Sequence, residues 1–318
     1  MNRKILQAGP STLAVSLPMG YVKKFRLKKG DEVSVEQLGS NLNISTKSTM
    51  QEDSAAIDIS ELYPFGTKIM GVMYKLGYKR IKAAYDPSAV ISHRGKKVKE
   101  LDMIKNTFNH LTGMQIQEVR SRKNENYVVA EQKAILSTEE FDNTFNQLFL
   151  HLITQAESCI DAITSKRNIE EEAYLIETLI NQSSDFCVRV LSTSGYNDHK
   201  KTAVYFNFVS NLEEIGDRYF SILLYYHDKK DSMDNETLSM LKTILGLLRE
   251  FSSIHRKFDM KKMMSAAKSA SSALGKYKDH ISSSRSNFYS YEAYTILLKL
   301  EEIVEIIYGL NYKEFSEG

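Results

Sequence analysis

The spacing of apolar residues changes along the chain from a strand period to a helix period. Leu13, Val15 and Leu17 alternate with small or polar residues, which predicts a strand with one buried face. Between Tyr63 and Leu76 the apolar residues instead recur at helical spacing, which predicts a helix. The chain is therefore expected to begin with strands and to become helical further along.

Proline and glycine divide the chain into three zones. All four prolines and nine of the fifteen glycines lie at or before Gly113. The remainder has no proline, which permits long helices, because proline breaks helix interiors. From about Thr138 onward, polar breaks separate six segments of helix length. These breaks lie near 166–168, 194–198, 228–235, 258–259 and 282–287.

The first zone, residues 1–48, is too small to hold a core of its own. Pro18 suits the start of a short helix, and turns at Gly30-Asp31 and Gly39-Ser40 lead into further strands. So few apolar side chains cannot stabilise a monomer, because chains below about 40 residues usually need a disulfide, a metal ion or a partner chain. The pattern therefore predicts an intertwined dimer.

The second zone, residues 49–137, is predicted to be a small α/β connector. Its expected elements are a helix over 63–76, a strand over 80–85, a helix over 98–111 and a hairpin of 114–119 with 127–130. Its glycines form neither a dinucleotide-binding fingerprint nor a phosphate-binding loop. We interpret the polar stretch of His93, Arg94, Lys96 and Lys97 as a loop, with a phosphate or nucleotide site as the alternative.

The third zone, residues 138–318, contains an internal repeat. The segments "NLEEIGDRY" at 211–219 and "KLEEIVEII" at 299–307 share Leu-Glu-Glu-Ile with an acid two residues later. The distance between them suits three helices with their turns. We therefore predict two tandem three-helix bundles, over about 138–230 and 231–312. The fold class is multidomain and mainly α.

Composition indicates a folded protein and places its positive charge at the start. The chain has 318 residues, of which 42% are hydrophobic and 26% are charged. Net charge is only +2, but eight basic residues face three acidic ones up to Lys47. Cys159 and Cys187 are interpreted as reduced thiols. Because no apolar run approaches the roughly 20 residues of a membrane span, we expect a cytoplasmic protein without a transmembrane segment.

The first zone resembles the swapped-hairpin domains of the AbrB/SpoVT/MazE DNA-binding family. The resemblance lies in "VSLPMGYVKKFRLKKGDEVSV", preceded by "RKILQAG" and followed by "NLNIS". It implies a homodimeric β-barrel that grips DNA with two basic pairs, Arg3-Lys4 on the first strand and Lys23-Lys24 at the short helix. Many members have another arginine where this chain has Ser11-Thr12, which weakens any expectation of sequence specificity.

The basic residues of this zone favour DNA contact independently of the family. A two-fold dimer doubles the set, and each base placed on a phosphate releases counterions. The set comprises Arg3, Lys4, Lys23, Lys24, Arg26 and Lys28. Two alternatives stay open: the lysines are merely solvated, or the barrel serves dimerisation alone.

The third zone resembles the PhoU phosphate-uptake regulators, which have a Glu/Asp-x-x-x-Asp signature and two tandem three-helix bundles. The resemblance lies in "EEIGDRY" and its echo, and it implies that the acids hold a metal ion such as iron, zinc or magnesium. The candidate ligands are Glu213 and Asp217, Glu301 and Glu305, and the equally spaced pair Glu157 and Asp161. Residues four apart stack on one helix face, so each pair can converge on a cation. The alternative is an ion pair with Arg218, Lys299 or a lysine of another helix.

The sequence carries no enzyme signature. No nucleophile elbow, zinc-protease motif or cysteine–histidine arrangement is present, so we expect no enzymatic activity. The two resemblances together imply a transcriptional regulator tied to phosphate, of an archaeal type. One alternative is an adaptor that binds the ATPase of a phosphate transporter or a sensor kinase. A third interpretation is a protein that stores or senses metal.

Overall fold

The structure is a computed structural model, and it describes most of the chain. The described residues are 2–38, 41–46, 53–60, 62, 65–93, 96–123, 125–134, 138–229, 233–282 and 287–312. Over these residues the chain is mainly helical, with its strands confined to the N-terminal part. None of the described helices is both long enough and apolar enough to cross a membrane.

The first zone forms two hairpins joined by a short helix. Strands β1 (Ile5–Gln7) and β2 (Leu13–Val15) pair antiparallel, as do β3 (Val33–Leu38) and β4 (Asn41–Thr46). Helix α1 (Met19–Lys24) begins directly after Pro18, as expected from the fixed φ of proline. The Tyr21 hydroxyl donates to the Ile44 carbonyl at 2.6 Å, which ties α1 to β4. In one chain these are separate two-stranded sheets.

The connector is a four-stranded sheet with two helices on one face. The sheet has the order β5-β6-β10-β9, in which only β5 and β6 are parallel. A hairpin, β7-β8, precedes the second helix. The elements are β5 (Ser54–Asp58), α2 (Gly66–Lys75), β6 (Arg80–Ala84), β7 (Val90–His93), β8 (Lys96–Lys99), α3 (Glu100–His110), β9 (Met114–Arg122) and β10 (Glu125–Gln132). Met70 and Tyr74 of α2 and Phe108 of α3 are buried against this sheet.

Two details of the connector differ from the sequence-based expectation. The predicted loop contains the β7-β8 hairpin, with His93, Lys96 and Lys97 on its strands, while Arg94 lies outside the described residues. Strand β5 was not predicted, because its short Ser-Ala-Ala segment has no strong apolar alternation. Its pairing with β6 completes the sheet.

Six long helices form the remainder of the described chain. They are α4 (Thr138–Ser165), α5 (Glu170–Thr193), α6 (Thr202–Lys229), α7 (Asn235–Arg256), α8 (Met260–Ser282) and α9 (Phe288–Asn311). Their ends coincide with the polar breaks of the sequence. Helices α4, α5 and α6 pack on one another, as do α7, α8 and α9, while α4 contacts α7 and α6 contacts α9. The six helices share one hydrophobic core, in which Cys159 and Cys187 are buried free thiols.

Candidate functional sites

All six predicted DNA-contacting side chains are exposed. Lys23 and Lys24 form the last turn of α1, whereas Arg3 and Lys4 lie just before β1 rather than on a strand. Arg26 follows α1 in the left-handed backbone region, with a φ of 52°. The set also includes Lys28, whose backbone N–H donates to the Asp31 carboxylate at 2.7 Å. These bases are therefore accessible to a polyanion.

Several apolar side chains on the strands of the first zone are exposed as well. The exposed fractions are 68% for Ile5, 69% for Leu13, 48% for Val15 and 64% for Leu42. Both hydrophobic cores in the described part of the chain lie beyond residue 48. Strands that leave their apolar residues in water need a further surface to cover them.

A second candidate site lies where α6 approaches α5. A methyl group added at Gly216 would lie 3.0 Å from Ile180 Cγ2 and 3.3 Å from Leu152 Cδ2, so the helices pack backbone to side chain there. This close approach places Glu213 and Asp217, which flank Gly216 on α6, against α5. Burial raises the pKa of both carboxyls above their ordinary values.

Glu177 of α5 completes this site and was not predicted from the sequence. Its side chain is buried, and its carboxyl interacts with that of Asp217. Burial and the Asp217 charge raise the pKa of Glu177 to about 7. Asn181 Nδ2 donates to Glu177 Oε1 at 3.0 Å, but Oε2 finds no donor among the described residues. The feature of the sequence that could have indicated Glu177 is an acidic residue directly after Ile176, at a position on the buried side of α5.

The connector helix α2 supplies two lysines to these acids. Lys75 Nζ lies 3.1 Å from Asp185 Oδ1 of α5. Burial opposes the charge of Lys75, but Asp185 and Glu213 outweigh burial and raise its pKa. Burial also raises the pKa of Asp185, whereas the charge of Lys75 lowers it. Because the pKa of Asp185 stays above its ordinary value, the ion pair only partly compensates for the hydration that this carboxylate loses on burial. The positive charge of Arg218 and, to a smaller extent, that of Lys68 favour the ionised form of Asp217.

The other candidate metal ligands are not brought together with these acids. Glu157 and Asp161 of α4 form ion pairs with arginines, at 2.5 Å to Arg249 and 3.2 Å to Arg167. Glu301 and Glu305 are exposed on α9. The two basic residues named as alternative partners of Glu213 and Asp217 form their ion pairs with other acids. Arg218 pairs with Glu214 and Glu292, and Lys299 with Glu214 and Glu302.

The arrangement around Glu213 does not fit a resident metal ion. Over the residues that the structure describes, no three His, Cys, Asp or Glu side chains converge in a way that could hold one. Lysine ammonium groups from α2 interact with the carboxylates instead. Such pairing neutralises buried acids without a metal. Metal binding by these acids stays a prediction.

Arg189 of α5 fastens the connector to the helices just beyond the acids. Its buried guanidinium donates to the backbone carbonyl of Tyr74, to that of Tyr78 at 3.1 Å and to Gln132 Oε1 at 2.5 Å. It also lies over the Tyr74 ring, 4.5 Å from the centroid. These groups belong to α2, the turn after it and the end of β10. The connector is therefore held by specific contacts.

Comparisons with known proteins add no relative. No family, curated protein or solved structure matches the chain. The two family resemblances therefore depend on the quoted residues.

Proposed function

We propose that this chain is a DNA-binding transcriptional regulator that dimerises through residues 1–48. The observation that carries the proposal is the combination, in one small unit, of exposed apolar strands and six exposed bases. Pairing two copies covers the strands and doubles the positive charge. A two-fold arrangement of this kind suits pseudo-palindromic DNA sites.

The finer architecture belongs to the same proposal. The hairpins of two chains would intertwine into one swapped-hairpin barrel. The helices α4–α6 and α7–α9 would be two tandem three-helix bundles, in keeping with their mutual packing. The helical part would receive the signal, and the likeness of "EEIGDRY" to the phosphate-uptake regulators supports phosphate status as that signal.

Binding of a DNA duplex by lysine variants tests the proposal. We expect Lys23→Ala/Lys24→Ala to bind fluorescent duplex DNA more weakly than the unaltered protein in an anisotropy titration. The slope of log affinity against log salt should fall by about 0.9 for each lysine that sits on a phosphate. The matched control is Lys261→Ala/Lys262→Ala, which removes two exposed lysines of α8. Equal affinity and slope in all three proteins, with the dimer intact, would refute DNA contact by this surface.

A second candidate function is an adaptor that binds a transporter ATPase or a sensor kinase. The observation that favours it is the presence of three exposed apolar side chains on α9. Tyr291 is 62% exposed, Leu298 41% and Tyr308 45%. Such a surface suits a protein partner. In this case the first zone serves dimerisation alone, and the lysine variants leave function unchanged.

A further inference from the structure

A cavity of about 400 Å³ lies at one end of the six long helices. The turn between α4 and α5, the end of α6 and the beginning of α7 surround it. Its apolar lining residues are Ile163, Ile169, Met233 and Leu238. The volume is within the range of about 300–1,000 Å³ that small-molecule sites in proteins have. The cavity can therefore admit the apolar body of a small ligand.

A buried hydroxyl group lines the same cavity without a hydrogen-bond partner. Tyr226 of α6 is only 8% exposed. Its hydroxyl makes no hydrogen bond to any residue that the structure describes. Buried hydroxyls are nearly always hydrogen-bonded, because burial removes the water that would otherwise pair with them. Tyr226 therefore offers a donor to an acceptor that enters the cavity.

The free polar groups around this hydroxyl are also donors. His227 Nδ1 and the Glu170 backbone N–H both donate to Asn168 Oδ1 at 3.2 Å, whereas Asn168 Nδ2 has no acceptor in the described part of the chain. The ammonium group of Lys166 has no acidic partner there either. Among the described residues that line the cavity there is no aspartate or glutamate. This set of donors favours an acceptor that carries negative charge.

The turn that presents these donors is fixed by its own contacts. Lys166 follows α4 with a φ of 56°, the left-handed conformation that commonly ends a helix. The backbone N–H of Arg167 donates to the Ala162 carbonyl at 3.0 Å. Its guanidinium lies 2.6 Å from Glu172 Oε2 and 3.2 Å from Asp161 Oδ2, which joins the start of α5 to the end of α4. The donors are therefore held in position before a ligand arrives.

We propose that this cavity binds a small amphipathic anion, a compact apolar body that carries one carboxylate. The apolar body packs between Ile169 and Leu238. The carboxylate accepts a hydrogen bond from the Tyr226 hydroxyl, and the charge of Lys166 balances its own. Such a ligand contacts the α4–α5 turn and the start of α7 together, so it links the first three long helices to the last three. The inference goes beyond the proposed DNA binding and does not depend on it.

Calorimetric titration of the full chain tests the site with naphthaleneacetate and its neutral amide as probes. The two probes share one apolar body and differ in the charge of the head group. We expect naphthaleneacetate to bind at one site per chain and about tenfold more tightly than the amide. Tyr226→Phe removes only the hydroxyl and should weaken naphthaleneacetate about tenfold, whereas Tyr308→Phe, at an exposed position of α9, should not. Absence of saturable binding, or equal affinity for the two probes, would overturn the inference.

A variant that fills the cavity shows where the probe binds. Leu238→Trp adds an indole ring to the lining, so we expect it to weaken naphthaleneacetate at least about tenfold, whereas Leu298→Trp, on exposed α9, should bind as the unaltered protein does. In amide hydrogen exchange, saturating probe should protect residues 166–169 and the first turn of α7 in the unaltered protein. Protection of α4 and α9 in every variant shows that the fold is retained. Unchanged affinity in Leu238→Trp would place the probe elsewhere and contradict the inference.

Discussion

At the scale of single residues, the acidic site depends on one buried carboxyl group, that of Glu177. Glu177 occupies a position on α5 between buried apolar residues, where a charge is costly. The signature acids Glu213 and Asp217 could be picked out from the sequence because they form a repeated motif. Glu177 belongs to no motif, and only the packing of α5 on α6 brings it to Asp217. Sequence therefore predicted two of the acids but not their partner.

The raised pKa of Glu177 predicts a pH dependence of stability. Its ordinary pKa of 4.5 becomes about 7 in the folded chain, so between pH 4.5 and 7 the folded state binds more protons than the unfolded state. The free energy of unfolding therefore falls as pH rises through this window. Glu177→Gln removes the effect. We expect this variant to gain on the order of 2 kcal/mol relative to the unaltered protein between pH 5 and 8 in urea denaturation. Parallel pH profiles would contradict this.

Gly216 and Gly246 predict opposite responses to the same substitution. Both lie inside helices, where alanine is favoured over glycine by about 1 kcal/mol. Gly216→Ala drives a methyl group against Ile180 and Leu152 in the core, so we expect a net loss of about 1 kcal/mol. Gly246→Ala meets nothing within 4 Å and should stabilise. Thermal denaturation of both variants measures these changes. Stabilisation by both substitutions would show that α5 and α6 pack less closely at Gly216 than the added methyl distances indicate.

At the scale of elements, the positions of prolines, glycines and polar breaks predicted the helices better than the strands. The ends of the six long helices could be predicted from the polar breaks. Between these breaks the sequence is amphipathic and has no proline, which favours uninterrupted helix. The sequence predicts a loop in place of the β7-β8 hairpin, because its second strand is Lys96–Lys99, "KKVK", which resembles a solvated charge run. The contact of α2 with α5 joins residues over 100 positions apart and has no local signal.

Arg189 is expected to be the strongest single contact between the connector and the helices. Replacing it with leucine leaves buried carbonyl oxygens of α2 without a donor, so we expect Arg189→Leu to cost about 3 kcal/mol. Arg167, whose ion pairs are exposed, provides the control, and Arg167→Leu should cost less than about 1 kcal/mol. Urea denaturation measures both. Similar losses would mean that the contacts of Arg189 do not hold the connector.

At the scale of the whole molecule, the proposal is that the first zone depends on a second copy of the chain. The sequence predicted this from the shortage of apolar residues, and the exposed strands of a single chain support it. What the sequence does not specify is how two sets of hairpins cross, because that depends on contacts between chains. The proposed role follows from this association, since bases on a lone and unstable unit would present no fixed surface to DNA.

Dimerisation is expected to fail when a charge enters the strand surface. Leu13 is 69% exposed, and Leu13→Asp would place a carboxylate where two chains meet. We expect the dimer dissociation constant to rise at least about 100-fold, since a buried leucine contributes about 2 kcal/mol and a buried unpaired charge costs more. Sedimentation velocity measures it. Leu175→Asp, on an exposed leucine of α5, should leave the dimer unchanged. Equal dissociation constants would exclude this surface.

The most direct test of the account is selection of genomic DNA fragments by the purified chain, with salt varied and the bound pool sequenced. We expect enrichment of promoters of phosphate-transport genes that carry an inverted repeat, as a two-fold DNA reader requires. Binding should persist at physiological salt. An unenriched pool, bound weakly and with a steep loss of affinity as salt rises, would contradict the account. The first zone would then be a charged dimerisation unit, and the function would lie with a protein partner of the helices.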